Sequence, residues 1–166
     1  MRAALVVFAV VSLVACACGP SPAASSPVAS SPAQPVADGP AGHCLAVAGA
    51  AHPRKPDEPA KIGAKHVLVK YAGAKKAKPE VVRTREQACL RAEEARAQLA
   101  EGKSFADVVA RYSEEPGATT REGSLGTVER SHVVPAFADA AFELKPGEVS
   151  QVVETDFGFH VILRTE

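Results

Sequence analysis

The chain has 166 residues, room for one domain plus tails. Acidic and basic residues balance at 19 each, so whole-chain charge suggests neither a nucleic-acid partner nor an acidic substrate. Trp is absent and aromatics make up 5% of the chain, so any core must lean on Val, Leu, Ile, Phe and Ala.

Arg2 is followed by an apolar run from Ala3 to Ala15, broken only by Ser12. A membrane span takes about 20 apolar residues, so this run is short for one. A charged start, an apolar stretch and small residues before a cut read as a secretory signal. Leu13-Val14-Ala15-Cys16 resembles the lipobox of bacterial lipoproteins. The resemblance implies a signal over residues 1–16, acylation of Cys16 and anchoring to a membrane, with roughly 0.8 kcal/mol from each buried methylene. The expected location is the cell envelope, on its periplasmic or outer surface. A cut elsewhere, after Ala17 for instance, would leave a plain secretory signal. A second register ending at Cys18 lacks the Leu.

Residues 17–60 are rich in Pro, Ala and Ser, too poor in apolar bulk to offset their ordering entropy. They are expected to form a disordered, partly polyproline spacer, able to reach up to ~130 Å at full extension. The small apolar patch Cys44-Leu45-Ala46-Val47 interrupts it and can dock on the domain.

The folded domain is expected over residues 61–166. Lys65 to Lys70 reads as a short strand with β-branched residues. Thr84 and Gln87 form a capping box that opens a helix running to Leu99 and stopping at Gly102. Ser104 caps a second helix whose apolar face is Phe105, Val108, Val109 and Tyr112; Pro116 and Gly117 end it. Gly123 to Val128 reads as a strand starting at a tight turn. Pro135 opens a third helix, a favoured place for proline. After the turn Lys145-Pro146-Gly147, two strands, Val149 to Glu154 and Phe159 to Arg164, join near Asp156-Phe157-Gly158. The order predicts an α+β fold: a small four-stranded, mainly antiparallel sheet with three helices.

Four motifs in this order resemble the parvulin, or rotamase, type of peptidyl-prolyl cis/trans isomerase over about 105 residues. Lys65-His66-Val67-Leu68-Val69-Lys70 is similar to the family's His-hydrophobic-Leu-Val-Lys opening. Gly123-Ser124-Leu125-Gly126 resembles its central glycine turn, and Val133-Val134-Pro135-Ala136-Phe137 the start of its third helix. Thr155-Asp156-Phe157-Gly158-Phe159-His160-Val161-Ile162 resembles its closing Thr-x-x-Gly-x-His run.

An Xaa-Pro bond rotates over a barrier near 20 kcal/mol. A catalyst must grip the proline, hold the flanking chain and stabilise the twisted amide; neither nucleophile nor metal is required. The resemblance assigns candidates to each task. His66 and His160 match paired central histidines and are candidate catalytic residues, which take a direct chemical part, set the site's geometry or simply fill the core. Thr155 matches a hydroxyl beside them, and Ser113 a helix-end hydroxyl. Leu125, Val133 and Phe137 match the proline pocket; Val133 stands where the family usually has Met. Glu115 stands where it carries Cys or Asp, close to the reacting carbonyl; Glu114 is the weaker alternative. Lys70, Lys75 and Lys76 are candidate contacts for an acidic or phosphorylated residue before proline, or for anionic lipid, or form a solvated loop.

His43, His52 and His132 lie in the spacer or a loop, without the spacing of a metal site, so no metal or cofactor is expected. An oxidising compartment permits a Cys44–Cys89 bridge; the other reading of Cys89 is a small buried apolar residue. The expected partners are unfolded or proline-containing polypeptides and, through the anchor, a membrane; the chain is expected to be a monomer. The expected activity is isomerisation that assists folding of secreted or envelope proteins. The alternative is a parvulin-like chaperone that holds clients with little turnover.

Overall fold

A computed structural model describes residues 39–166. The signal, the lipobox with Cys16, and the first part of the spacer lie outside the described residues. Helix α1 spans Pro40–Ala48, followed by β1 (Lys61–Val69), α2 (Arg85–Ala100), α3 (Phe105–Tyr112) and β2 (Ser124–Glu129). A 3-10 turn (Arg130–His132), α4 (Pro135–Glu143), β3 (Val153–Thr155) and β4 (Gly158–Arg164) complete the order. The four strands form one sheet in the order β2-β1-β4-β3, every pair antiparallel. The α+β class and the four-stranded sheet follow the expectation; among the described residues the α-helices number four rather than three.

The two middle strands are apolar on both faces, and their period of two sorts side chains between two cores. Val67 and Val69 of β1 with Phe159 and Val161 of β4 face α2 and α3, packing on Cys89, Ala92, Val109 and Tyr112. Ile62 and Ala64 of β1 with Ile162 of β4 face α4, packing on Phe137, Ala138, Ala141 and Phe142.

Local chemistry explains where the elements begin. The Thr84 hydroxyl accepts from the Gln87 N–H while the Gln87 side chain accepts from the Thr84 N–H, closing the capping box of α2. Ser104 accepts from the Asp107 N–H at 3.1 Å and starts α3. The strand expected from Val149 shrinks to Val153–Thr155 because Ser150 takes over the ladder. Its hydroxyl accepts the Ile162 N–H at 2.9 Å, leaving Val149 with an isolated bridge to Leu163. Gly158 begins β4 at φ 130°, where an added Cβ would collide with the Val69 carbonyl oxygen.

The spacer expectation is corrected from Gly39 onward. Pro40–Ala48 is helical, with Pro at its start, and Cys44 and Ala48 are buried against α2. Composition argued for disorder because Pro, Ala and Ser dominate the chain around this one short apolar patch. A disulfide from Cys44 to Cys89 fastens the patch to α2, joining positions 45 residues apart with Cα atoms 6.0 Å apart. Cys89 is therefore both a buried core residue and a bridge partner, and the domain starts about twenty residues earlier than expected.

Closing a ring of this length stabilises the native state chiefly by restricting the unfolded chain. The double substitution Cys44→Ser/Cys89→Ser is expected to lower unfolding free energy by roughly 2–4 kcal/mol under oxidising conditions. Denaturant titration with and without reductant checks this: reductant should destabilise the parent chain alone.

Candidate active site

The antiparallel register sets His66 opposite Ile162 and His160 opposite Leu68, so the histidines are diagonal neighbours on the face toward α4. His66 and His160 are each 4% exposed and Thr155, at the end of β3, is 8% exposed. Buried polar groups need partners, and these three find one another. The Thr155 hydroxyl oxygen accepts the Phe157 N–H at 3.1 Å and lies 2.8 Å from His160 Nε2, a much nearer acceptor for its hydrogen than the Gly158 carbonyl at 3.4 Å. Burial drives the His160 pKa well below the ordinary imidazole value, and the neighbouring His66 and Lys70 act in the same direction. A neutral ring that accepts at Nε2 carries its hydrogen on Nδ1 and donates it to His66 Nδ1, 3.1 Å away. His66 then donates from Nε2 to Glu115 Oε2 at 2.7 Å. The donors line up in one direction, Thr155 to His160 to His66 to Glu115, and end on a carboxylate.

Glu115 sits in the turn after α3. The hydrogen bond from His66 is the main reason its carboxyl lies below the usual carboxylate range; Arg121, which also pairs with it, adds to the effect against the opposing pull of burial. The turn itself is fixed to the end of β1. Ser113 accepts the Leu68 N–H at 3.2 Å, and Glu114 Oε2 accepts the Lys70 N–H at 2.7 Å. Arg83 completes this brace by donating to both Glu114 oxygens and to the Lys70 carbonyl. Glu114 is thus a structural brace, and Glu115 is the carboxylate that reaches the histidines.

The chain of hydrogen bonds opens into a cleft of about 630 Å³. Phe137 forms its base, meeting both imidazoles edge-on at centroid distances of 5.6 Å and 5.4 Å. Leu125, Val133 and Val134 supply apolar walls, and Glu115, Lys76 and Phe157 stand at its margin. The three expected pocket residues, both histidines and Glu115 all line this one cleft. Thr155 reaches it through His160.

The three lysines do not act alike. Lys70 is 5% exposed, and its ammonium donates to the Lys76 carbonyl at 2.7 Å, so it braces the loop rather than facing the cleft. Lys75 and Lys76 are exposed and lie 5.1 Å and 5.8 Å from the centroid of the Phe157 ring. The Lys75 N–H donates to the Asp156 carbonyl at 2.7 Å, tying this loop to the turn between β3 and β4. Arg121 and Arg83 were not foreseen. Their partners lie 6 and 31 positions away across loops, where no periodicity marks them. Among the described residues no cluster of His, Cys, Asp and Glu has the geometry of a metal site.

A family model described as Rotamase, PPIC-type PPIase domain, matches residues 66–166, starting at the first site histidine. Foldase protein PrsA 1 of Bacillus cereus is 38% identical over 106 residues, 63% of this chain and 31% of that protein. Chaperone SurA of Yersinia pestis is 37% identical over 102 residues, 61% of this chain and 22% of that protein. The chain therefore spans at most about a third of the length of these curated relatives. The crystal structure of the PPIase domain of TbPar42 superposes with a TM-score of 0.57 at 36% identity, covering 63% of this chain and 99% of that one. With the family model covering most of the chain and a solved relative sharing the fold almost end to end, the chain belongs to the PPIC-type, or parvulin, family of peptidyl-prolyl cis/trans isomerases.

Proposed function

We propose that this chain isomerises Xaa-Pro bonds in polypeptides outside the cytoplasm, tethered to a membrane through lipid on Cys16. The observation that carries the isomerase reading is the hydrogen-bonded chain of Thr155, His160, His66 and Glu115 along an apolar cleft. The names of the relatives, a foldase and a chaperone, support polypeptide clients.

The physics of the bond gives each group a task. Twisting breaks amide conjugation, so the carbonyl oxygen loses negative charge and the amide becomes less polar. An apolar cleft holding the pyrrolidine ring against Phe137, Leu125 and Val133 therefore disfavours the planar amide more than the twisted one. A carboxylate beside the carbonyl oxygen acts in the same sense, since it repels the planar form more strongly. His66, His160 and Thr155 hold that carboxylate in place. The second reading, a holding chaperone with little turnover, is favoured by the Arg121–Glu115 pair, which damps the field of the carboxylate.

The deciding measurement is isomerisation of proline peptides by the full chain. Glu115→Ala is expected to lower kcat/KM about tenfold to a hundredfold with peptide binding retained. Phe137→Ala should weaken binding itself. Turnover unchanged in both variants would remove these residues from the site; peptide binding without turnover in the parent chain would favour the chaperone.

Lys75 and Lys76 favour an acidic residue before proline. Glu-Pro peptides should be turned over a few-fold faster than Ala-Pro peptides, with the gap closing in salt and in Lys75→Ala/Lys76→Ala. A phosphoserine peptide outrunning the Glu peptide by orders of magnitude would make phosphate the ligand instead.

The site also sets a pH response. The folded His160 pKa is depressed, so as pH drops below about 6.5 the unfolded chain takes up a proton that the folded chain refuses, and stability falls. Glu115 acts in the same direction at lower pH. Its contribution is present above 4.5 and is lost as pH falls through its lowered folded value. In an NMR titration the His160 ring signals should change at a midpoint below the ordinary imidazole value; a midpoint near 6.5 would contradict this account.

A further inference from the structure

Residues 49–60 run from the end of α1 to the start of β1 and lie outside the span matched to the family. They touch α4 and the turn before it at three places. His52 Nδ1 is 2.8 Å from Glu143 Oε2, and Lys55 Nζ donates to the Glu143 carbonyl at 2.8 Å. The third contact is the most enclosed. Arg130 donates from Nε and Nη2 to the two carboxylate oxygens of Glu58, at 2.7 Å and 2.5 Å. Its remaining Nη1 reaches Asp139 on α4, and its guanidinium lies 5.1 Å from the Phe142 centroid. The side chain of Glu58 is only 9% exposed and also accepts from Arg54 at 2.9 Å.

Arg130 opens the 3-10 turn that leads into Val133 and Val134, the cleft wall facing Phe137. That turn holds itself poorly. None of its residues is buried, no side chain caps it, and its closing Val133 N–H to Arg130 carbonyl contact is stretched to 3.5 Å. Val134 is extended ahead of Pro135, so α4 cannot grow backward to stiffen the wall. Beyond the packing of Val133 and Val134 on the core around Phe137, the Arg130 side chain ties the wall down, held on one side by α4 through Asp139 and on the other by Glu58. A planar guanidinium with two parallel bonds to a carboxylate fixes orientation as well as distance, which a lysine would not do.

We propose that Glu58 and Arg130 are positioning residues for the proline pocket, so that the segment before β1 closes a clamp setting the spacing between Val133 and Phe137. The clamp rests on the isomerase reading only to the extent that the cleft takes a proline peptide. Because neither residue lines the cleft, loss of the clamp loosens the pocket without altering the Glu115 end of the site.

The test uses the full chain with Glu58→Gln, Arg130→Lys and the double variant, and an Ala-Pro peptide as probe. Each single variant is expected to raise KM and the peptide Kd about tenfold with kcat nearly unchanged, and the double variant should be no worse than either. Lys61→Met, which breaks the neighbouring exposed Lys61–Glu129 pair, should leave KM alone. Hydrogen exchange at the Val133 amide is read in parallel, since it needs neither turnover nor ligand; the clamp predicts about tenfold faster exchange in the variants. Unchanged exchange, or kcat falling with KM fixed, would overturn the clamp. Faster exchange together with a parent chain that shows no turnover would retire the isomerase reading and keep the clamp.

Discussion

The antiparallel register between β1 and β4 is the constraint on which the rest depends. It brings His66 and His160 to one face as diagonal neighbours and sends Val67, Val69, Phe159 and Val161 to the other. A slip of one residue would turn one strand over relative to the other, sending its histidine into the α2–α3 core and its apolar partners toward the cleft, and so would part the pair. Two apolar layers oppose that slip, so the hydrophobic energy of the sheet enforces the geometry of the polar site.

With the histidines placed, the remaining site groups are assembled by braces at the same end of the sheet. Arg83 and Glu114 pin the turn carrying Glu115 to Lys70 at the end of β1. Gly158 lets the β3–β4 turn pass against Val69, which brings Thr155 within reach of His160. Each of these depends on backbone positions near residues 68–70. The last residues of β1 thus serve as a common anchor for groups arriving from three parts of the chain.

Much of this could be read from the sequence, for identifiable reasons. The caps at Thr84 and Ser104 are local, and strand alternation around His66 and His160 survives in the finished sheet. The cleft residues Leu125, Val133 and Phe137 were legible through their motifs. Features held by distant partners were not. Glu58 and Arg130 are 72 positions apart, and the short apolar helix at Pro40–Ala48 sits inside a Pro/Ala/Ser-rich stretch and is held by packing and a cross-link to a residue 45 positions away. Lys70 misled in the opposite way. It looked like one member of a basic cluster, yet its ammonium satisfies a carbonyl within its own loop.

The Cys44–Cys89 bridge also determines how the domain meets a mechanical load. A pull on the chain before Gly39 enters at α1 and crosses the covalent link directly into α2. The intervening segment, which includes β1 and the segment carrying Glu58, lies inside the closed ring and bears none of the tension. Force arriving from the N-terminus therefore bypasses the strand that organises the site, whereas in the reduced chain the same force would run through Glu58 and β1 first.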